Sequence, residues 1–557
     1  MVWSGMSQNL GSVDDRHKLG ALSCMSLIIN KIIGTGIYSN PSIIFRYVNG
    51  NVGIFLGLFG LGGVVILCGM IIYLEFALNL PFKNGGELNY LLRIFRNPRG
   101  LIGCIYSFSI VLLGFSLGNS YTFGKYIIFA FSGQEDDNID EISVKFIGIL
   151  CITGCIILHW KYPNQGTRIF NFLGIFKVLI LILIILIGIF VLFNWIDIEK
   201  TNNFDNIWHF HNDQPANLYN LSVGLLQVIY SFKGWENANY VLNEINDPYH
   251  VLTIAAPAAV LITTLLYFLV IISYLIVIPK QELLSSGVLC AGIFFNKIFG
   301  KSITSRLLPI FISLSNLGNV MVVSYAHSLV NQELAANNYI PFAKFFQNFK
   351  NSLLLHWLVT VIVLIAPPSK EIYEFIVNLY IYPGTWINLL LTGGLVYLKW
   401  NKREQLWGDY NPIDHTKEIE DIEVTLMANP SNRSYSSLED DESEIVRNRL
   451  VHVTTPSSTA LPPDFNKKIE APYICIMIFF LANLFLAIFP FIPPLNAKDL
   501  TIPFWLFPVI GTGVLIVGAI FFYSRPYWNR FFGDYEPVKY EDEYKSQDYY
   551  SIQNREV

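Results

Sequence analysis

Apolar residues in this chain fall in long blocks separated by short polar stretches, with little of the alternation that marks half-buried strands. Each block is near or above the ~20 residues that an α-helix needs to cross a bilayer. Twelve such spans are predicted, at about 19–45, 52–80, 100–130, 144–160, 169–195, 217–243, 254–279, 303–332, 351–367, 371–398, 471–493 and 501–523. Three blocks are interrupted by residues that disfavour a helix. The first carries Ile33-Gly34-Thr35-Gly36-Ile37, then Pro41. The sixth carries Tyr230-Ser231-Phe232-Lys233-Gly234-Trp235-Glu236-Asn237, and the tenth Tyr382-Pro383-Gly384, a predicted kink.

Irregular backbone at mid-depth survives only where protein buries it or where it lines a cavity. The first break therefore predicts freed N–H groups at the start of a second half-helix, a place for a carboxylate. Gly34 and Gly36 also allow a second reading, that two helices simply pack closely there. The sixth span is broken too, five spans after the first. That spacing is expected of two five-helix halves repeated with inverted topology around a shared midplane site.

Composition agrees with a polytopic membrane protein. Of 557 residues, 53% are hydrophobic and 14% charged, against about 25% charged in soluble domains. A net charge of −5 gives no basic surface for nucleic acid. Seven cysteines, six of them within apolar runs, suggest neither a disulfide framework nor a metal site. The 81–99 loop carries Lys83, Arg93, Arg96 and Arg99, whereas 131–143 carries five acids and no basic residue. The positive-inside rule then places 81–99 and both termini in the cytoplasm. Within 81–99, Leu88, Leu91, Leu92 and Phe95 recur at helical spacing against Glu87, Arg93 and Arg96, which predicts an amphipathic helix lying on the membrane face. The domain plan is a cytoplasmic start (1–18) without a signal-peptide core, a ten-helix core (19–398), a disordered cytoplasmic loop (399–470), two further helices (471–523) and a cytoplasmic tail (524–557).

Three stretches together resemble a known family: Gly34-Thr35-Gly36-Ile37 in its apolar setting, Tyr73-Leu74-Glu75-Phe76 with Pro81-Phe82-Lys83-Asn84-Gly85-Gly86-Glu87, and Gly234-Trp235-Glu236-Asn237-Ala238-Asn239-Tyr240 with Glu244-Ile245-Asn246-Asp247-Pro248. Their order and spacing are similar to the L-type amino acid transporter branch of the amino acid–polyamine–organocation superfamily, and most of all to the fungal methionine permeases. The resemblance implies a LeuT-type all-α fold of five plus five inverted helices with helices 1 and 6 broken, two extra helices, and import of a neutral amino acid across the plasma membrane without a cofactor.

By the same resemblance, the backbone amides of Thr35, Gly36 and Ile37 hold the substrate carboxylate, with Gly34 beside them in the binding stretch. Carbonyls around Tyr230, Ser231 and Phe232, next to Gly234, hold its ammonium, and Tyr230 is the gating aromatic. Ile33 and Phe232, with residues of spans three, eight and ten, are expected to line the side-chain pocket. Lys177 matches a span-five lysine that stands where sodium-coupled relatives bind the ion, so it is a candidate proton carrier or a fixed charge. Glu75 is a second proton candidate, or a structural partner for backbone or for Lys31. Lys31 is expected to face a cytoplasmic cavity; Lys233 either alters the site or snorkels. The polar patch from Asn119 to Thr122 faces a cavity or marks a helix end. Expected partners are the amino acid, membrane lipids and ubiquitin-ligase adaptors acting on the cytoplasmic segments. The 329–342 stretch departs from the family, with Leu329 and Ala336 where relatives carry arginines and Asn338 where they carry glycine. No catalytic triad or phosphate loop is present, so an enzyme is not expected. An exchanger or facilitator of the same fold, or a sensor using the same pocket, remains open.

Overall fold

The computed structural model describes residues 19–80, 82–98, 100–132, 140–199, 201–211, 215–300, 303–365, 370–402, 405, 407, 469–494 and 502–532. The expected cytoplasmic start, most of the 399–470 loop and the tail after Phe532 lie outside these residues. Regular structure among the described residues is helical, and the one strand-like pairing is a parallel bridge between Leu19 and Ile245.

The first span is three pieces: α1 (Ala21–Ile32), α2 (Thr35–Tyr38) and α3 (Asn40–Tyr47). Next come α4 (Val52–Asn79), the short α5 (Glu87–Ile94), α6 (Leu101–Leu113), α7 (Leu117–Ser132), α8 (Glu141–Lys161) and α9 (Pro163–Leu192). The sixth span is α10 (Leu218–Ser231), five non-helical residues and a 3-10 segment, Asn237–Glu244. Then follow α11 (Pro248–Val277), α12 (Lys280–Ser285), α13 (Cys290–Phe299), α14 (Ile303–Ala336), α15 (Ala343–Phe346), α16 (Phe349–Ile365), α17 (Lys370–Trp400), α18 (Tyr473–Ile488) and α19 (Leu506–Phe532). Nine stretches among the described residues are long and apolar enough to span a membrane, and the chain is an all-α polytopic protein. Large apolar side chains lie exposed in rows on the outer helices, such as Phe146, Leu150 and Ile157 on α8 and Phe172, Leu179 and Leu186 on α9. Contiguous exposed apolar surface of that extent is what lipid would cover.

Both predicted breaks are present, and the two broken spans lie side by side. The Leu19 amide donates to the Glu244 carbonyl (2.6 Å) and the Asn246 amide to the Leu19 carbonyl (2.9 Å), so the entry of the first span is tied to the exit of the sixth. α1 packs on α9, α11 and α14, while α2 and α3 pack on α10.

Several expectations change. The third span is not continuous: Gly114-Phe115-Ser116 separates α6 from α7. α17 runs unbroken through Pro383 and Gly384, as proline is tolerated in membrane helices when neighbours satisfy the freed backbone. α12 and α13 fill a stretch that the hydrophobic pattern left blank, and α12 packs on α3. α19 continues to Phe532, past the boundary drawn at 523. Residues 398–470 form a unit of their own, whose described part is the end of α17 and an ion pair between Lys402 and Glu470 (2.9 Å).

One face of the amphipathic segment α5 is buried in protein. Leu88 and Leu91 of its apolar stripe are buried, and Glu87, one turn before Leu91, is 4% exposed and accepts hydrogen bonds from Tyr73 (3.2 Å), Tyr106 (3.1 Å) and Tyr240 (3.1 Å). A buried carboxylate persists only when donors surround it, and here three tyrosines from three different segments supply them. Glu87 thereby joins α4, α6 and the 3-10 half of the sixth span.

Glu87→Leu is expected to leave the Tyr106 and Tyr240 hydroxyls buried without this acceptor, at about 1–3 kcal/mol for each orphaned group. The thermal midpoint of the detergent-solubilised protein should fall by several degrees, while Glu87→Gln, which keeps an acceptor, should fall less.

Candidate functional site

α1 ends at Ile32 because Ile33 is extended (φ −74°, ψ 104°) and Gly34 follows with φ −164° and ψ −141°. The last carbonyls of a helix have no partner within it, and in a membrane each must find one elsewhere. Three side chains from three helices meet this demand. Lys177 on α9 donates through Nζ to the Asn30 and Ile33 carbonyls, at 2.6 Å each. Asn319 on α14 donates through Nδ2 to the Lys31 carbonyl (2.5 Å), and the Tyr267 hydroxyl on α11 donates to the Ile32 carbonyl (2.7 Å). Lys177 also puts its charge at the negative end of the half-helix dipole.

A second set of contacts crosses the gap. The Thr35 amide donates to Asn119 Oδ1 (3.3 Å), Asn119 Nδ2 donates to Asn319 Oδ1 (3.0 Å), and Asn319 in turn holds the Lys31 carbonyl. This chain spans the break from one half-helix to the other. It also explains Gly34: a Cβ there would lie 2.5 Å from Asn119 Oδ1 and 2.8 Å from Asn319 Nδ2. Gly36 is constrained from the other side, since its Cβ would lie 2.4 Å from Ser231 Cα. The two readings of these glycines are thus both realised. They sit at the break, and they admit close neighbours.

Around the break lies a cavity of about 30 Å3, lined among others by Thr35, Gly36, Asn119, Tyr230, Asn319 and Tyr380. At about 10–15 Å3 of such volume per water, it has room for two or three waters and must widen to admit an amino acid. Tyr230 closes one side, with its hydroxyl 2.9 Å from Thr35 Oγ1 and its ring edge-on to Tyr380 at 6.1 Å. Tyr380 meets Phe115 at 5.7 Å and receives Lys31 Nζ on its hydroxyl (3.2 Å). A second cavity of about 70 Å3 adjoins the first, with Lys233 and Tyr380 in the walls of both.

Of the residues predicted for the site, Thr35, Gly36 and Tyr230 reach the cavity wall. Ile33 and Ile37 are wholly buried, and Gly34 lies behind the two asparagines. Ser231 donates through Oγ to the Gly36 and Gln227 carbonyls (2.9 Å each), which fixes the two breaks against each other. Phe232 packs on Tyr267 and Phe59 rather than on the cavity. Gly234 has φ +130°, and a Cβ there would meet Lys31 Cγ at 2.1 Å, so the position admits only glycine. Glu75, in the last turns of α4, accepts the Ala471 amide (2.6 Å), a backbone partner, and is not in the cavity wall. Lys31 does line the cavity, and Lys233 pairs with Glu236 at its edge.

The pattern of residues missed Asn319 and the run from Phe115 to Ser116. Asn319 carried a readable signal, an asparagine at mid-span in Ser315-Asn316-Leu317-Gly318-Asn319. The third-span break carried almost none, because Gly114-Phe115-Ser116 is as apolar as its surroundings.

A family model described as amino acid permease matches residues 19–515. The chain belongs to the amino acid permease family. It is 30% identical over 514 residues to the high-affinity methionine permease of Saccharomyces cerevisiae, covering 91% of this chain and 78% of that one. With the low-affinity methionine permease of the same yeast it shares 28% identity over 70% of this chain and 72% of the relative. The mouse large neutral amino acids transporter small subunit 2 is 25% identical over the same shares of the two chains. This permease is therefore an amino acid transporter and not an enzyme.

Ala at Gly34 or Gly36 of the permease is expected to reduce amino acid uptake about tenfold or more, since overpacking of ~1–3 kcal/mol falls on the break itself. Gly513→Ala, whose Cβ would meet nothing within 4 Å, should leave uptake unchanged. Labelled uptake normalised to surface protein checks all three.

Proposed function

We propose that this permease imports a neutral amino acid, methionine foremost, across the plasma membrane by alternating access, with a proton as coupling ion. The observation that carries the reading is the convergence of both broken spans on one cavity. Thr35 and Gly36 present the start of a half-helix there, and Tyr230 comes from the end of another. Amide N–H groups at a helix start suit a carboxylate, and carbonyls at a helix end suit an ammonium. Phe115, Ile376 and Val377 add apolar wall, which suits an uncharged side chain. The yeast methionine permeases among its relatives support methionine as the first substrate to try. The cavity, too small for an amino acid as it stands, supports a gated carrier over an open pore, with Tyr230 and Tyr380 in its wall as the side chains that would part. The basic 81–99 segment supports a cytoplasmic position for both termini.

Lys177 is the first candidate for handling the proton, and Glu75 the second. One observation favours a different coupling: the Lys177 amine already bonds two carbonyls at 2.6 Å, as a fixed cation holding the break would. On that reading the permease is an exchanger or facilitator.

Purified protein in proteoliposomes distinguishes these. Under an inward proton gradient, labelled methionine should accumulate above its outside concentration, and Lys177→Ala should abolish the accumulation. Uptake that only equilibrates, or that requires amino acid inside, replaces symport by facilitation or exchange. Binding without uptake sinks the transport mechanism.

A further inference from the structure

The break in the third span is the least expected feature of the site, and it is held from outside the site. Phe115 to Asn119, five consecutive residues, line the cavity, more than any other unbroken run of the chain contributes. Three residues, Gly114 to Ser116, interrupt the helical ladder there. Ser116 opens α7, its carbonyl accepting the Ser120 amide (3.1 Å). A serine in that position commonly turns its hydroxyl onto its own helix as a cap. Here the hydroxyl pairs instead with His356 Nε2 (3.0 Å), and the Ser116 amide donates to Thr360 Oγ1 (3.2 Å).

His356 and Thr360 stand four residues apart on one face of α16. They are 3% and 0% exposed, and neither lines the cavity. α16 is itself braced, with Trp357 Nε1 donating to Thr153 Oγ1 on α8 (2.9 Å). From the far side His327 on α14 backs the break, since a Cβ on Gly114 would lie 2.6 Å from its Nδ1. Its ring is 5.9 Å from that of His356. The consequence reaches the cavity through Phe115, whose ring stands between the clamped Ser116 and the Tyr380–Tyr230 pair.

We propose that His356 and Thr360 are positioning residues for substrate: from α16 they clamp the interrupted third span so that Phe115 and Ser116 present a preset wall to the apolar side chain of the amino acid. His356 and Thr360 are themselves buried away from the cavity, so removing either takes a fixed partner from Ser116 and the wall slackens. A slack wall must be ordered by the substrate itself, and that lowers apparent affinity without touching the slower conformational step. The proposal rests on the transport reading for its affinity arm and stands apart from it in its structural arm.

The test uses the full chain with His356→Leu, Thr360→Val and His356→Gln, the last keeping an amide that can reach Ser116. His159→Gln serves as a control, because this buried histidine is bonded to the Met321 carbonyl (3.0 Å) and lines no part of the site. The first readout is hydrogen–deuterium exchange of the peptide over residues 114–119. The second is KM against maximal rate for methionine uptake. The Leu and Val variants should exchange about tenfold faster at 115–118 and raise KM about tenfold at unchanged maximal rate, the loss expected of one buried hydrogen bond. His356→Gln should recover most of both effects, and His159→Gln should show neither. Unchanged exchange in the Leu and Val variants overturns the clamp whatever uptake does. Faster exchange with unchanged KM in an active wild type overturns its role in positioning substrate. A wild type that takes up no amino acid sinks the transport reading instead, and the exchange arm still decides the clamp.

Discussion

Everything near the site follows from one constraint, that carbonyls freed at the end of α1 cannot be left bare inside a membrane. Breaking a helix at Ile33 and Gly34 strips partners from Asn30, Lys31, Ile32 and Ile33 in the one environment where water cannot supply them. Lys177, Asn319 and Tyr267 each come from a different helix to meet that need. Their bonds make the break a junction of α9, α11 and α14 as much as a feature of the first span. The Asn119–Asn319 pair then carries the connection across the gap to Thr35, and Gly34 is small because that pair passes beside it.

The same logic recurs twice. Gly114 to Ser116 interrupts the third span, and on α16 Thr360 takes the Ser116 amide while His356 takes the Ser116 hydroxyl. Glu87 brings a carboxylate into a buried place, and Tyr73, Tyr106 and Tyr240 surround it. In each case an irregular or charged element is tolerated because polar side chains from distant segments close on it. The permease therefore concentrates its polar residues where its helices are interrupted and leaves its outer helices to lipid.

The hydrophobic pattern made much of the fold legible. Long apolar blocks must be helices in a membrane, so the order of the helices followed from the blocks, while nine stretches among the described residues, against twelve predicted, are long and apolar enough to span. The breaks in the first and sixth spans were visible because glycine and polar residues stand out against Ile and Leu. Where contrast was low, reading failed. The third-span break is written in Gly114-Phe115-Ser116, which looks like any membrane helix, whereas α17 keeps its helical assignment through Pro383 and Gly384. The periodicity of α5 was legible, but the burial of Glu87 was not, because a carboxylate facing water and one facing three tyrosines have the same sequence.

By itself, then, the sequence determined the class of the protein, the approximate extent of its spans and the two breaks at which a site would form. Local composition suffices for these, since each depends on how residues partition between lipid and water and on the helix propensity of neighbours. Tertiary structure decided which residues face the cavity. It drew Thr35, Gly36 and Tyr230 to the wall, kept Phe232 and Ile33 away from it, and brought in Phe115, Asn319 and Tyr380 from spans far along the chain. Those outcomes depend on which helix faces come into register and on which buried polar atoms find partners. Such partners lie 84 to 288 residues apart in sequence, a separation at which no local pattern carries information.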